Sequence, residues 1–199
     1  MQTRTAAEPQ LFTAEGERLY LSGSEDRRFL KAATLADQPT RLFCEILSYT
    51  GCRISEALAT TPRMLDAGEC QIVFHTLKRR SLRPIFRAVP IPARLMRDLR
   101  TMAKELGLEQ DDRIWPWSRQ TGWRRVKAVF AAGDIAGPQA MPKGLRHKFG
   151  VAGIAHRLPE SAVQELLGHA RPSSTKIYTR AVGGERRALV RRMWPKGEL

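Results

Sequence analysis

Hydrophobic and polar positions change their spacing twice along this chain, and each change marks a boundary between kinds of structure. Residues 1 to 18 carry weak periodicity and read as a tail or arm. From Ser22 the spacing becomes helical. SGSEDRRFLKAA opens with Ser22 and Glu25 three residues apart, the separation at which a hydroxyl and a carboxylate cap two backbone amides reciprocally. A second helical run, PTRLFCEILSYTG, is stopped by Gly51, and a third, RISEALAT, ends ahead of Pro62. The period then falls to two. CQIVFHT and IFRAVPIP alternate Ile, Val and Phe with polar residues, and the basic stretch LKRRSLRP joins them. That pattern predicts a β-hairpin with a strongly cationic connection.

Helical spacing returns at Pro92 and holds to the end. PARLMRDLRTMAKELG sets Leu95, Met96, Leu99, Met102, Ala103 and Leu106 on one face and stops at Gly107. RQTGWRRVKAVFAAG sets Trp123, Val126, Val129 and Phe130 on another, which reads as core. PKGLRHKFGVAGIA, PESAVQELLG, SSTKIYTR and ERRALVRRMW follow as short helices, with Pro142 and Pro159 suited to first turns and Gly168 to an end. The expected architecture is mainly α with one small antiparallel β-sheet, an α+β fold.

Composition narrows the function. A chain of 199 residues, 42% apolar and 27% charged, is long enough for one domain with a real core. It contains no apolar run approaching ~18 residues and no apolar signal core near Met1, so neither a membrane span nor secretion is expected, and the cytoplasm is. Its net charge of +14 repels itself unless it meets a polyanion, and nucleic acid is the usual one. Cys44, Cys52 and Cys70 are odd in number and lack CxxC spacing, so they read as reduced, mostly buried thiols. His75, His147, His156 and His169 lack zinc-like spacing, and the acidic residues are scattered. No metal and no cofactor are expected.

Phosphoryl transfer without a metal needs a protein nucleophile, cations on the non-bridging oxygens and an acid for the departing oxygen. Four segments can supply these parts. TGCRISEAL presents Arg53 at a helix start, and TLKRR puts Lys78 near the hairpin turn. PKGLRHKF groups Lys143, Arg146 and His147, and LLGHARPSSTKIYTR carries His169 and Tyr178. Alone, each has an ordinary reading as a helix cap, a charged loop or a hydrogen-bonded histidine.

In this order the segments resemble the catalytic domain of the tyrosine recombinases, the phage-type integrases. The motif TGxRxSE corresponds to Thr50–Glu56, and the hairpin lysine to Lys78 ahead of a strand ending Val89-Pro90-Ile91-Pro92. The box HxLRH corresponds to Lys143–His147, LLGH to Leu166–His169, and Tyr178 follows nine residues later. The resemblance runs from about residue 19 to the C-terminus and implies a DNA breaking-rejoining fold. It also implies site-specific recombination of double-stranded DNA, by integration, excision, inversion or resolution.

The implied roles follow residue by residue. Tyr178 attacks the scissile phosphate and forms a 3′-phosphotyrosine, while Arg53 and Arg146 clamp the non-bridging oxygens. Lys78 protonates the leaving 5′-oxygen, and His169 hydrogen-bonds the phosphate. Lys143 stands where the family usually has histidine and can donate to phosphate, though it is a poorer base. His147 matches a common family residue and reads as structural. The family usually adds a helical core-binding domain before the catalytic one. The reading here is a tail over 1–18 and a catalytic domain over 19–199, with no separate core-binding domain. Beyond Tyr178, Gly183-Gly184 reads as a hinge before a helical stripe of Leu189, Val190, Met193 and Trp194, expected to couple protomers in a tetramer on paired DNA sites. Two other functions fit parts of the pattern: a recombinase-derived DNA-binding regulator without efficient catalysis, and a type IB topoisomerase.

Overall fold

The computed structural model describes residues 10–76, 85–169 and 173–180. Within them the chain forms α1 (Gly23–Ala33), α2 (Gln38–Thr50), α3 (Ile54–Leu58), a 3₁₀ turn (Pro62–Met64) and strands β1 (Leu65–Asp66), β2 (Gln71–Thr76) and β3 (Ile85–Pro90). Then come α4 (Ala93–Glu105), α5 (Arg119–Ala132), α6 (Pro142–Ala155), α7 (Glu160–Leu167) and α8 (Ser173–Arg180). This is the mainly helical α+β architecture expected from the sequence.

Helix α2 is the centre of the domain, contacted by α1, α3, α4, α5 and α6. Its sequence explains that position: Leu42, Phe43, Cys44, Ile46 and Leu47 are all fully buried, so the helix is apolar around most of its circumference. Asp37 caps its start by accepting from the Thr40 amide at 2.8 Å, and the Trp115 indole N–H donates to the Pro39 carbonyl at 2.8 Å. Around it lie Phe29, Phe74, Phe130 and Trp115, each under 2% exposed. Burying each such side chain contributes about 1.5–3 kcal/mol. The capping box read from Ser22 and Glu25 forms, with the Glu25 carboxylate accepting from the Ser22 amide at 2.6 Å and the Ser22 hydroxyl from the Glu25 amide at 3.2 Å.

The sheet runs β1-β2-β3, antiparallel throughout. β2 and β3 register from Gln71 opposite Pro90 to Thr76 opposite Ile85, and the two-residue β1 adds a third strand to the expected hairpin. The cationic connection between β2 and β3, with Lys78, lies outside the described residues. So do residues 181–199 and the stripe read there.

Two placements depart from the sequence expectation. Trp123 is 45% exposed, not core. The buried face of α5 runs through Gly122, Val126, Val129 and Phe130, and a Cβ on Gly122 would stand 3.3 Å from the Phe43 ring, so Trp123 falls one position off that face. Leu106, expected on the apolar face of α4, is 56% exposed because the helix has ended and Leu106 is its C-cap.

A second apolar cluster joins Leu11, Tyr20, Val163, Leu167 and Tyr178, with Phe149 and Ile154 packed against it. Residues 11–19 reach it through a turn closed by the Phe12–Arg18 bridge, with the Leu19 amide donating to the Leu11 carbonyl at 2.8 Å. No helix among the described residues is long and apolar enough to cross a membrane.

Candidate active site

The site grows from the end of α2. Gly51 adopts φ 60°, the left-handed turn that stops the helix, and a Cβ there would fall 2.8 Å from Phe149 of α6 and 3.0 Å from Leu167 of α7. The turn can therefore lie flush against both helices. It delivers Arg53 to the N-cap of α3, where the Glu56 carboxylate accepts from the Arg53 backbone amide at 2.7 Å and from its guanidinium at 2.8 Å. Glu56 also receives two bonds from Arg87 on β3, at 2.6 and 3.2 Å. Burial opposes the charge on Glu56, but these arginines hold its carboxyl below the usual range.

Arg146, on α6, is 8% exposed and ties three segments together. Its two terminal nitrogens donate to the Gly51 carbonyl at 2.8 Å and the Leu167 carbonyl at 2.7 Å. Arg87 adds a bond from Nε to the Leu166 carbonyl at 3.0 Å. The last carbonyls of α7 are thus met by two guanidiniums, a favourable match to the negative end of its dipole. Burial, and then the nearby Arg53 charge, bring the Arg146 pKa down to about 10, so it remains cationic at neutral pH.

Gly168 turns the chain at the end of α7 with φ 62°, placing His169 beside Arg146 in the same cavity. The His169 Nδ1 and the buried Thr175 hydroxyl are 2.9 Å apart, which orients the imidazole. Burial first, then Arg146 and Arg53, push its pKa down to about 3, so the ring is neutral in the free protein. On α8, Tyr178 is 1% exposed. Its ring stacks on that of His169 at a centroid distance of 5.9 Å, over Gly150 of α6, where a Cβ would come within 2.5 Å of the phenol. Its hydroxyl lies 3.2 Å from Nδ1 of His147. Burial, against the pull of Arg146 and Arg53, raises the phenol to about 12.

A cavity of about 550 Å³ opens over these groups, lined among others by Arg53, Arg119, Lys143, Arg146, His169 and Tyr178. No carboxylate among the described residues lines it. Such a cavity receives an anion with planar donors and repels a metal cation. Among the described residues no cluster of three His, Cys, Asp or Glu could hold a metal ion.

Of the six residues singled out from the sequence, Arg53, Lys143, Arg146, His169 and Tyr178 converge on this cavity, and Lys78 lies outside the described residues. Three further residues belong to it. Arg119 and Trp123 line the cavity, and His147, read as structural, meets the Tyr178 hydroxyl. Arg87 supports the site from behind. Its parity with buried Val89 on β3 already placed it on the inward face, a signal visible in the alternation itself.

Comparison with known proteins agrees with this architecture. The phage integrase family matches residues 20–183. The tyrosine recombinase XerD of Pseudomonas aeruginosa is 31% identical over 202 aligned positions, covering 95% of this chain and 65% of its own length. The chain therefore spans less than two thirds of that relative. A XerH site-specific recombinase bound to palindromic difH substrate, in a post-cleavage complex, superposes with a TM-score of 0.74 at 20% identity, over 86% of this chain and 52% of that one. The catalytic domain of bacteriophage HP1 integrase superposes at 0.63 and 21% identity, over 86% of this chain and 93% of that domain. These likenesses establish the fold.

Proposed function

This chain belongs to the phage integrase family, and from the site it carries we propose that it is a site-specific recombinase that cuts and rejoins double-stranded DNA through a 3′-phosphotyrosine intermediate. The observation that carries the proposal is one juxtaposition. A tyrosine hydroxyl borders a cavity with no carboxylate among its described lining residues, and that lining includes two arginines from different helices, Arg53 at the start of α3 and Arg146 on α6. Arg53 and Arg146 hold the non-bridging oxygens of the scissile phosphate, where their charge grows in value as negative charge accumulates on the phosphorane. His169, neutral and oriented by Thr175, donates a further hydrogen bond to that phosphate. Lys143 adds a flexible cation at the mouth. Tyr178 attacks phosphorus, the bond to the 5′-oxygen breaks, and Lys78 from the β2–β3 connection protonates the leaving oxygen. The tyrosyl ester keeps the energy of the phosphodiester, so religation needs no nucleotide cofactor and cleavage needs no metal.

The net charge of +14 supports duplex DNA as the substrate, since release of counterions from phosphates drives such binding. The XerH neighbour, a site-specific recombinase bound to palindromic difH substrate, supports the same reading. In this reading residues 19–199 make the catalytic domain, protomers assemble as a tetramer on paired sites through the stripe of Leu189, Val190, Met193 and Trp194, and the protein works on the nucleoid in the cytoplasm.

The proposal is tested with nicked duplexes that trap cleavage by losing a short 5′-hydroxyl fragment. Wild-type protein is expected to accumulate a covalent adduct in the presence of EDTA, with affinity for duplex DNA falling steeply with salt. Cleavage that requires Mg²⁺, or a flat response to salt, contradicts it.

A further inference from the structure

His147 is the feature of the site that the recombinase roles leave unused. It is 3% exposed, and the one hydrogen bond its side chain makes among the described residues joins Nδ1 and the Tyr178 hydroxyl at 3.2 Å. Its other nitrogen, Nε2, is buried with no partner among those residues. A histidine serving only to fill space would leave that polar atom unpaired, a cost that an apolar residue of similar size avoids. The other polar groups near the phenol are poorly suited to take a proton from it. Lys143 presents an ammonium, which donates and has no lone pair to accept. His169 meets the phenol through its ring face, with Nδ1 engaged by Thr175.

We propose that His147 is the general base of strand cleavage: its Nδ1 receives the phenolic proton as the Tyr178 oxygen attacks phosphorus. This inference rests on the recombinase reading of the site. The proton starts on the Tyr178 oxygen and ends on Nδ1, giving an imidazolium with its other proton on Nε2. The oxygen–phosphorus bond to Tyr178 forms as the bond from phosphorus to the 5′-oxygen breaks, and the leaving oxygen takes a proton from the general acid. Religation runs the same transfers backwards, and His147 returns its proton to the departing phenolate.

The charged surroundings make this base respond to substrate. Around it are Lys143 and Arg146 from its own helix, His169 between α7 and α8 and Tyr178 itself, with Arg53 ahead of α3 lining the same cavity. Glu56, the carboxylate that acts on Arg146, is held by Arg53 and Arg87. Burial first, then Lys143 and Arg146, lower the imidazole to about 4 while the phenol stands near 12, so without DNA the proton stays on the tyrosine. A phosphodiester in the cavity places negative charge among the same cations and offsets their effect on the imidazole.

The test uses the full chain and nicked duplex under single-turnover conditions, with DNA affinity and thermal unfolding measured alongside. His147→Gln is expected to slow adduct formation roughly 10²-fold while leaving affinity nearly unchanged. The wild-type rate should fall on the acid side with a slope of one in log rate against pH, and that limb should vanish in the variant. If His147→Gln does not fold, His147→Ala is used, and added imidazole should restore part of its rate. A folded variant that cleaves within about threefold of wild type and keeps the acid limb overturns the assignment. Tyr178→Phe separates the two readings. If it is inactive while His147→Gln is normal, only the His147 role fails; if Tyr178→Phe still forms adduct, the recombinase reading fails with it.

Discussion

Gly150→Ala asks whether the tyrosine must lie where α6 makes room for it. The added Cβ would stand 2.5 Å from Cε2 and Cζ of Tyr178 and 2.7 Å from Cδ2, well inside van der Waals contact, and the struck atoms belong to a rigid, buried ring. The ring is 1% exposed and stacks on His169, so moving it disturbs its neighbours. Overpacking of this kind costs about 1–3 kcal/mol, and replacing a mid-helix glycine with alanine returns about 1 kcal/mol. The net destabilisation is therefore about 0–2 kcal/mol, a fall in Tm of no more than ~8 °C for a domain of this size. Catalysis should suffer far more. A ring displaced by about 1 Å loses its hydrogen bond to His147 and its line on the phosphate, a loss of roughly 10² in cleavage rate. Thermal unfolding and single-turnover cleavage, measured on the same preparation, separate the two effects. A variant that cleaves at the wild-type rate would show that the tyrosine acts from a different position, and the packing argument would fall.

Arg146→Ala should lower the cleavage rate roughly 10²–10³-fold, read as adduct formed per unit time at saturating DNA. Replacing Glu56 with alanine leaves Arg87 buried and stripped of its carboxylate, so urea unfolding should show a loss of about 3–5 kcal/mol; a loss under 1 kcal/mol would mean the pair holds little together. Lys78→Ala should be restored by a 5′-bridging phosphorothioate, whose leaving group needs no proton; no rescue would move the acid role elsewhere. His147 and His169 have folded pKa values lowered from 6.5 to about 4 and about 3, so the unfolded chain binds protons that the folded one refuses. Their contribution to stability is present above about 6.5 and is lost as pH falls below it, so urea midpoints should drop between pH 7 and 5, and less so in His147→Gln.

Much of this fold is written in local chemistry, and it could be read for that reason. The Ser22–Glu25 box, the Gly51, Gly107 and Gly168 stops and the period-two runs around Ile72 and Val89 each act within a few residues. What escaped depends on distance through space. β1 has two residues, too few to show alternation, and it exists because Leu65 and Asp66 pair with Ile72 and Gln71. Trp123 read as core because aromatic residues usually are, and Gly122, which makes the actual contact, gives no hydrophobic signal. The ordered motifs were legible as a site, yet nothing in the spacing joins His147 to Tyr178, 31 positions away. The contact arises only when α6 and α8 pack, and Gly150, one turn along from His147, gives the phenol its place.

The most direct test of the whole account is to map the covalent bond. Protein trapped on a nicked duplex, digested with protease and nuclease and sequenced by mass spectrometry, should carry its nucleotide on the peptide containing Tyr178. The linkage should be through a 3′-phosphate, with a free 5′-hydroxyl on the released strand. A nucleotide on Tyr20 or Tyr49, a 5′-phosphate linkage, or cleavage with no covalent protein would contradict the assignment of Tyr178 as the nucleophile.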